Sequence, residues 1–259
     1  MGAQVKAVVN HPMIIIIPSY NNIKYYKRNI DMIIAQDKYY KNWAAIYIDD
    51  CSEDGTGDAV EQYIKKRGYV HKIFVVKNKQ RRGALFNVYN VVHRCKDDKI
   101  IVICDGDDWF AHDKALWRIN VAYQDPNVWL TYGQFIIHPS GKLGQCEALP
   151  EEIINNNEYR SYKWVTSHVR TYYAGLFKKI KKEDLMIHGN FYPMATDFAT
   201  MFPMLEMAAG HIAFIPDVIY VYNAVNPINL FRSAGGKQKA YGEHIRKLPR
   251  YQKIEHWGS

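Results

Sequence analysis

An α/β fold, with a mostly parallel sheet flanked by helices and a smaller subregion to one side, is predicted by three features of this 259-residue sequence. Short apolar runs recur at 13–17, 44–48, 72–76 and 100–104, and the β-branched character of the last suits a strand buried on both faces. Stretches with apolar residues at helical spacing separate them, and that alternation builds parallel sheets through right-handed crossovers. Two of the runs end abruptly in acid, at Asp49-Asp50 and at Asp105-Gly106-Asp107-Asp108. The open edge beyond the C-terminal ends of strands is where such sheets place ligands.

Residues 1–12 carry no periodicity and are expected to be a mobile lead-in. The first strand, 13–17, stops at Pro18 and opens into the polar loop Ser19-Tyr20-Asn21-Asn22. Ile23, Tyr26, Ile30, Ile33 and Ile34 then mark a helix reaching Gln36. After the second strand, residues 51–56 are turn chemistry leading into a helix with Ala59, Val60, Tyr63 and Ile64 as its apolar stripe. The third strand leads through the basic loop 77–83 to a helix from Ala84 to about Arg94.

Beyond the fourth strand and a helix at 113–124 the pattern loosens. A strand is expected at 128–137, a hairpin or turn at 138–144 and a polar loop or short helix at 151–162. A helix from Ala195 or Thr196 to Ala209 carries Asp197 in its first turn; Pro203 in its middle predicts a kink or a division. Two short strands at 212–215 and 218–222 follow. Residues 226–259 are polar and basic, with Gly235-Gly236 as a hinge, and read as a flexible tail or lid.

With 48% hydrophobic and 14% aromatic residues the chain can bury a substantial core. No apolar stretch is long enough to span a bilayer, and 13–17 is too short for a signal segment. A cytoplasmic location is expected, or one peripheral to a membrane on its cytosolic side. Cys51, Cys95, Cys104 and Cys146 lack metal-ligand spacing and read as reduced thiols. The formal charge of +8 is compatible with nucleic acid, an anionic membrane surface or a phosphate-bearing substrate. Without a helix-turn-helix, zinc-finger or RNP motif, it does not point to nucleic acid.

The acid cluster after the fourth strand is the centre of the chemistry. Carboxylates this close repel one another, and a hard cation that prefers oxygen ligands would hold them together. A solvated acidic turn before a helix is the simpler alternative.

Four segments in order carry a resemblance to a known family: Ile17-Pro18-Ser19-Tyr20-Asn21, Ile48-Asp49-Asp50-Cys51-Ser52-Glu53-Asp54-Gly55-Thr56, Arg81-Arg82-Gly83-Ala84-Leu85-Phe86-Asn87 and Cys104-Asp105-Gly106-Asp107-Asp108. Together they resemble the family 2 glycosyltransferases of the GT-A fold, mostly inverting enzymes with nucleotide-sugar donors. The resemblance covers residues 13–135 firmly and 164–225 more loosely. It implies a nucleotide-sugar-binding half at 13–135, an acceptor-binding and catalytic-base half at 136–225, and a tail or lid at 226–259.

On that resemblance, Pro18, Ser19, Tyr20 and Asn21 would contact the nucleotide, and Asp50 would accept a hydrogen bond from uracil. Arg81, with Arg82 beside it, would meet the base or phosphates, and Gly83 would let the backbone pass close to the ligand. Asp107 would bind a divalent metal, Mn²⁺ or Mg²⁺, directly. Asp105 would support the metal or hold the ribose, and Asp108 ranks behind them. Asp197 would be the base that deprotonates the acceptor, although its neighbour is Thr196 where the family commonly has a second acid; Glu206 is the fallback. His168, Arg170 and Trp109 would lie on the acceptor side, Trp164, Tyr172 and Tyr173 would stack on sugars, and Arg232 and Lys237 would close over the diphosphate. Structural roles compete at each position: a helix cap for Asp197, a turn carboxylate for Asp50, the core for the aromatics.

The implied activity is metal-assisted transfer of a hexose, with inversion, from a UDP-sugar to a hydroxyl of a glycan, lipid-linked or protein acceptor. Two other classes remain open on the residues alone. A nucleotidyltransferase also joins paired acids to an α/β sheet, but no Gly-rich phosphate loop with a lysine follows the first strand. A noncatalytic module could bind nucleotide sugars or anionic surfaces through its positive charge.

Overall fold

The computed structural model describes residues 8–228 and 235–258. In chain order the elements are β1 (Met13–Ser19), α1 (Tyr26–Ile34), β2 (Trp43–Asp49), α2 (Thr56–Arg67), β3 (Ile73–Lys77), α3 (Ala84–Arg94), β4 (Ile100–Ile103), β5 (Trp109–Phe110), α4 (Ala115–Ala122), β6 (Leu130–His138), β7 (Lys142–Leu143), α5 (Glu151–Asn155), β8 (Thr171–Tyr173), α6 (Ala174–Lys178), β9 (Met186–Ile187), β10 (Asn190–Phe191), α7 (Thr196–Ala208), β11 (Ile212–Asn223) and α8 (Gly235–Lys247).

The central sheet has the order β3-β2-β1-β4-β8-β6-β11-β5, with β7 beside β6. Its first four strands are parallel, as the alternation of strands and helices predicts. Ile15, Ile16 and Ile17 of β1 and Ile100, Ile101 and Val102 of β4 are fully buried. Burying each such side chain contributes about 1.5–3 kcal/mol, which fixes this pair of strands at the centre of the sheet. β8 runs antiparallel to both β4 and β6 and stitches the second half on, while β6 and β11 are parallel to each other.

Adjacent parallel strands release their C-terminal loops side by side, and here that brings the loops after β1 and β4 into contact. The Gly106 amide donates to the Pro18 carbonyl at 3.0 Å. A Cβ on Gly106 would stand 2.7 Å from the Ser19 side chain and 2.8 Å from Asn22 Nδ2, so only glycine lets the two loops approach this closely.

Several expectations are corrected. Residues 8–12 are not loose: the His11 amide donates to Asn120 Oδ1 on α4 and the Val9 amide to Gln124 Oε1 just beyond it. The two strands expected at 212–222 are one, β11, with register shifts around Pro216-Asp217, where proline has no N–H for the ladder. Pro203 does not divide α7 into two helices. That helix is buried from Ala199 through Ala208, and surrounding packing holds it across the missing donor. Gly235 and Gly236 open α8 where a hinge was expected, Ile245 of that helix is buried, and Trp257 stacks on Tyr173 at 4.0 Å. Arg232 lies outside the described residues, and Lys237 is exposed on α8.

Candidate active site

A cleft of about 780 Å³ opens at the C-terminal ends of β1, β2 and β4. Pro18, Ser19, Tyr20, Asp50, Arg81 and Gly83 line one wall, Asp105, Asp107 and Asp108 the floor, and Trp164, His168, Arg170 and Asp197 the other side. Most residues singled out from the sequence therefore share one space.

On the first wall, the Asp50 amide donates to the Ser19 carbonyl, tying the ends of β1 and β2 together. Its buried carboxylate accepts from Asn78 Nδ2 at 2.8 Å and from the amides of Arg82 at 2.9 Å and Gly83 at 2.8 Å. Burial pushes this carboxyl up, but the hydrogen bonds outweigh it and hold the group below the ordinary carboxylate range. Asp50 is thus the anchor of the basic loop as well as part of the wall. Gly83 has φ 88° and ψ 153°, a conformation essentially confined to glycine. The Arg81 guanidinium stacks on the Tyr20 ring at 3.9 Å, giving a flat, cationic edge to the cleft.

Asn21 is placed differently from the expectation. At φ 52°, its amide donates to Ser52 Oγ and its Oδ1 accepts from the Glu53 amide, so it braces the loop after β2. Asn22 lines the cleft in its place, with Nδ2 donating to Ser19 Oγ at 2.9 Å. Asn87, also in the wall, accepts from Asn78 Nδ2 at 2.8 Å through its Oδ1, and its amide is among the hydrogen-bonding groups that hold Asp50 low.

The three acids of the floor differ in their bonding. Asp108 is buried, and both its oxygens are engaged, by Tyr220 Oη at 2.8 Å and the Asn223 amide at 2.7 Å. It fastens β11 to the acidic loop. Asp107 accepts from Asn226 Nδ2 at 2.8 Å; burial, with the charge of Asp105 adding to it, pushes its carboxyl up to about 6 against that hydrogen bond. Burial likewise raises Asp105, with Arg170 opposing and Asp197 reinforcing the shift. Ligand atoms of Asp105, Asp108 and His168 all lie within 4.8 Å of one another.

Across the floor, Asp197 sits in the first turn of α7, its Oδ1 accepting from the Phe198 amide. His168 lies parallel to Tyr220 at 4.8 Å and against Phe135 and Tyr222. Burial first, then the Arg170 charge, push its pKa well below the usual value, so it presents an uncharged ring rather than a cation for phosphate. Trp164 faces the cleft while packing on Phe198 at 4.4 Å.

Three suggestions are overturned by packing. Trp109, expected on the acceptor side, is 4% exposed in β5 with Arg28 over its ring, and belongs to the core. Tyr172 is buried, and Tyr173 is covered by Trp257. Glu206, the fallback base, is buried in a two-pronged pair with Arg160 and accepts from the Tyr251 amide, leaving it no access to a substrate.

A parallel half-sheet ending in acid, joined through an antiparallel strand to a second half that returns a helix tip to the same cleft, is an α/β architecture of the GT-A type. The chain belongs to glycosyl transferase family 2, whose family model matches residues 14–184. That membership sets the chain among glycosyltransferase sequences and away from the nucleotidyltransferases.

Among its relatives, glycosyltransferase GlyA of Streptococcus pneumoniae is 24% identical over 188 residues, which cover 67% of this chain and 26% of GlyA. Among solved structures, S. aureus TarS 1-349 in complex with UDP-GlcNAc superposes with a TM-score of 0.60 at 17% identity, covering 83% of this chain and 59% of that one. Mannosyltransferase PcManGT from Pyrobaculum calidifontis, in complex with GDP-Man and Mn²⁺, gives 0.59 at 18% identity, covering 92% and 65%. The chain thus spans about a quarter of GlyA and under two thirds of these structures. No helix among the described residues is long and apolar enough to cross a membrane.

Proposed function

We propose that this glycosyltransferase takes a hexose from a UDP-sugar and passes it, with inversion and with the help of a divalent metal, to an acceptor hydroxyl. The observation that carries the reading is the placement of Asp105, Asp107 and Asp197 around one cleft whose opposite wall holds Asp50, Arg81 and Tyr20. The neighbours solved with UDP-GlcNAc and with GDP-Man and Mn²⁺ support it.

The wall suits a nucleotide. The Arg81–Tyr20 stack offers a platform for a flat base, and Asp50 an acceptor for a ring N–H. Asp105 and Asp107 suit a hard cation, being oxygen donors whose negative charge is costly to bury unpaired. Asp108 is the weaker ligand because the fold already uses both its oxygens. Mn²⁺ or Mg²⁺ held there would neutralise charge on the departing nucleoside diphosphate. Asp197, across the floor, takes the proton from the acceptor hydroxyl as that oxygen attacks from the face opposite the leaving group. The acceptor would be a glycan, a lipid-linked sugar or a protein, and the basic surface would permit contact with an anionic membrane.

Two measurements test this. In a thermal-shift series with Mn²⁺, UDP and UDP-sugars should raise the melting temperature more than GDP-mannose or CDP. Asp197→Asn should lower kcat by roughly 10³–10⁴-fold, leaving a measurable residual rate, while UDP still binds; near-normal turnover by that variant would remove Asp197 from the role of base.

A further inference from the structure

Arg170 precedes β8 and is 8% exposed; its carbonyl accepts from the Ile103 amide, fixing it beside the end of β4. Its guanidinium is within ion-pair range of two carboxylates: Nη2 lies 3.8 Å from Asp105 Oδ2, and Nη1 lies 4.0 Å from Asp197 Oδ2. The three side chains border a small chamber of about 30 Å³ at the base of the cleft. A guanidinium is planar and permanently charged, with donors along more than one edge, so a single one can hold two acids in a set relation. A charge this buried persists only when paired, and these two carboxylates pair it.

We propose that Arg170 is a positioning residue for Asp197: it keeps that carboxylate turned toward the donor half of the cleft, with Asp105 as its second anchor, and it does not bind the acceptor. The inference rests on the reading of Asp197 as the proton acceptor. It carries a consequence that a purely structural arginine would not. The Arg170 charge opposes a divalent cation at Asp105, so removing it leaves cation binding intact or tighter even as it frees Asp197.

The experiment compares Arg170→Met and Arg170→Lys, each alone and combined with Asp197→Asn, by steady-state kinetics on a turned-over UDP-sugar and by Mn²⁺ titration followed by EPR with UDP present. Arg170→Met should lower kcat about 100-fold, with the donor KM within about threefold of wild type. Its Mn²⁺ affinity should equal or exceed that of wild type. The double variant should be no slower than Asp197→Asn alone, because Arg170 acts through Asp197. Arg170→Lys should show a smaller kcat loss at unchanged donor KM, and its cycle serves if the Met variant does not fold. Additive losses in the cycle, or kcat, UDP and Mn²⁺ binding falling together in both variants, overturn the proposal. A fully active Asp197→Asn would instead overturn the base assignment, so the two failures are distinguishable.

Discussion

Asn226 donates a hydrogen bond to the Asp107 carboxylate, Nδ2 to Oδ2 at 2.8 Å, from the turn that follows β11. The same Nδ2 reaches Asn22 Oδ1 at 3.3 Å, so one buried amide joins that turn to the acidic loop and to the loop after β1. Under the proposed reading Asp107 holds the divalent cation, and losing a group that orients such a carboxylate costs about 10–100-fold in affinity. Asn226→Ala is expected to weaken Mn²⁺ binding by roughly tenfold or more, and Asn226→Asp to perturb it as well by placing a second carboxylate against Asp107. An EPR titration of Mn²⁺ reads both; an unchanged affinity in the alanine variant would show that Asp107 is held well enough without the amide.

Asp50 sets a pH expectation. Its folded pKa lies below its ordinary value, so its contribution to stability is present above the unfolded pKa and is lost as pH falls through the lower, folded one. The amide resonances of Arg82 and Gly83, which report its two backbone hydrogen bonds, should hold steady from neutrality into the ordinary carboxylate range near 3.8 and move only below it. Asp50→Asn turns one acceptor oxygen into a donor facing those amides, so it should loosen the loop at pH 7 and weaken UDP binding. A midpoint above 3.8 in the NMR titration would contradict the direction of the shift.

The first half was legible in the sequence because its strands are short apolar runs, three of which lead into proline or acid at Pro18, Asp49 and Asp105, even though β1 itself runs on through Pro18 to Ser19. Its loops follow at once, so Pro18, Asp50, Arg81, Asp105 and Asp107 could be assigned to one sheet edge. The second half was less so. β8 is only three residues long, and Pro216-Asp217 makes β11 resemble two strands. The residues missed in the site are amides and a phenol that act across long separations: Asn226 lies 119 residues beyond Asp107, and Tyr220 lies 112 beyond Asp108. Nothing local marks such partners. The one available signal was the pair Asn223 and Asn226, two amides at and just beyond the end of an apolar strand. Trp109 and Glu206 misled because an aromatic or an acid near a motif looks the same in sequence whether it faces solvent or the core.

Glu206 now yields a stability prediction in place of a catalytic one. Its side chain is fully buried against Arg160, which is itself 4% exposed. Glu206→Gln leaves the Arg160 charge without a counter-ion, a change that costs about 3–5 kcal/mol. A fall in Tm on the order of 10 °C is expected in a chain of this size. Transfer by the fraction that remains folded should keep kcat within a factor of about two. Loss of kcat at a temperature where the variant is fully folded, as judged by near-UV circular dichroism, would return Glu206 to the chemistry.

Gly106→Ala tests whether the contact between the loops after β1 and β4 shapes the floor of the cleft. The new methyl group would meet the Ser19 Cβ and Oγ at 2.7 Å and Asn22 Nδ2 at 2.8 Å, below any normal contact. Ser19 Oγ is already held by Tyr47 Oη at 2.7 Å, so it has little freedom to turn aside. The loops must therefore separate, lengthening the bond from the Gly106 amide to the Pro18 carbonyl and shifting the acids on either side of it. Overpacking of this kind costs about 1–3 kcal/mol, which the chain should survive as a folded protein with a lower Tm. UDP and Mn²⁺ binding should fall much further than stability does, because Asp105 and Asp107 flank the displaced residue. Calorimetry at a temperature well below the variant's Tm separates the two effects. Native UDP affinity there would mean that the loops accommodate the methyl group without moving the acids.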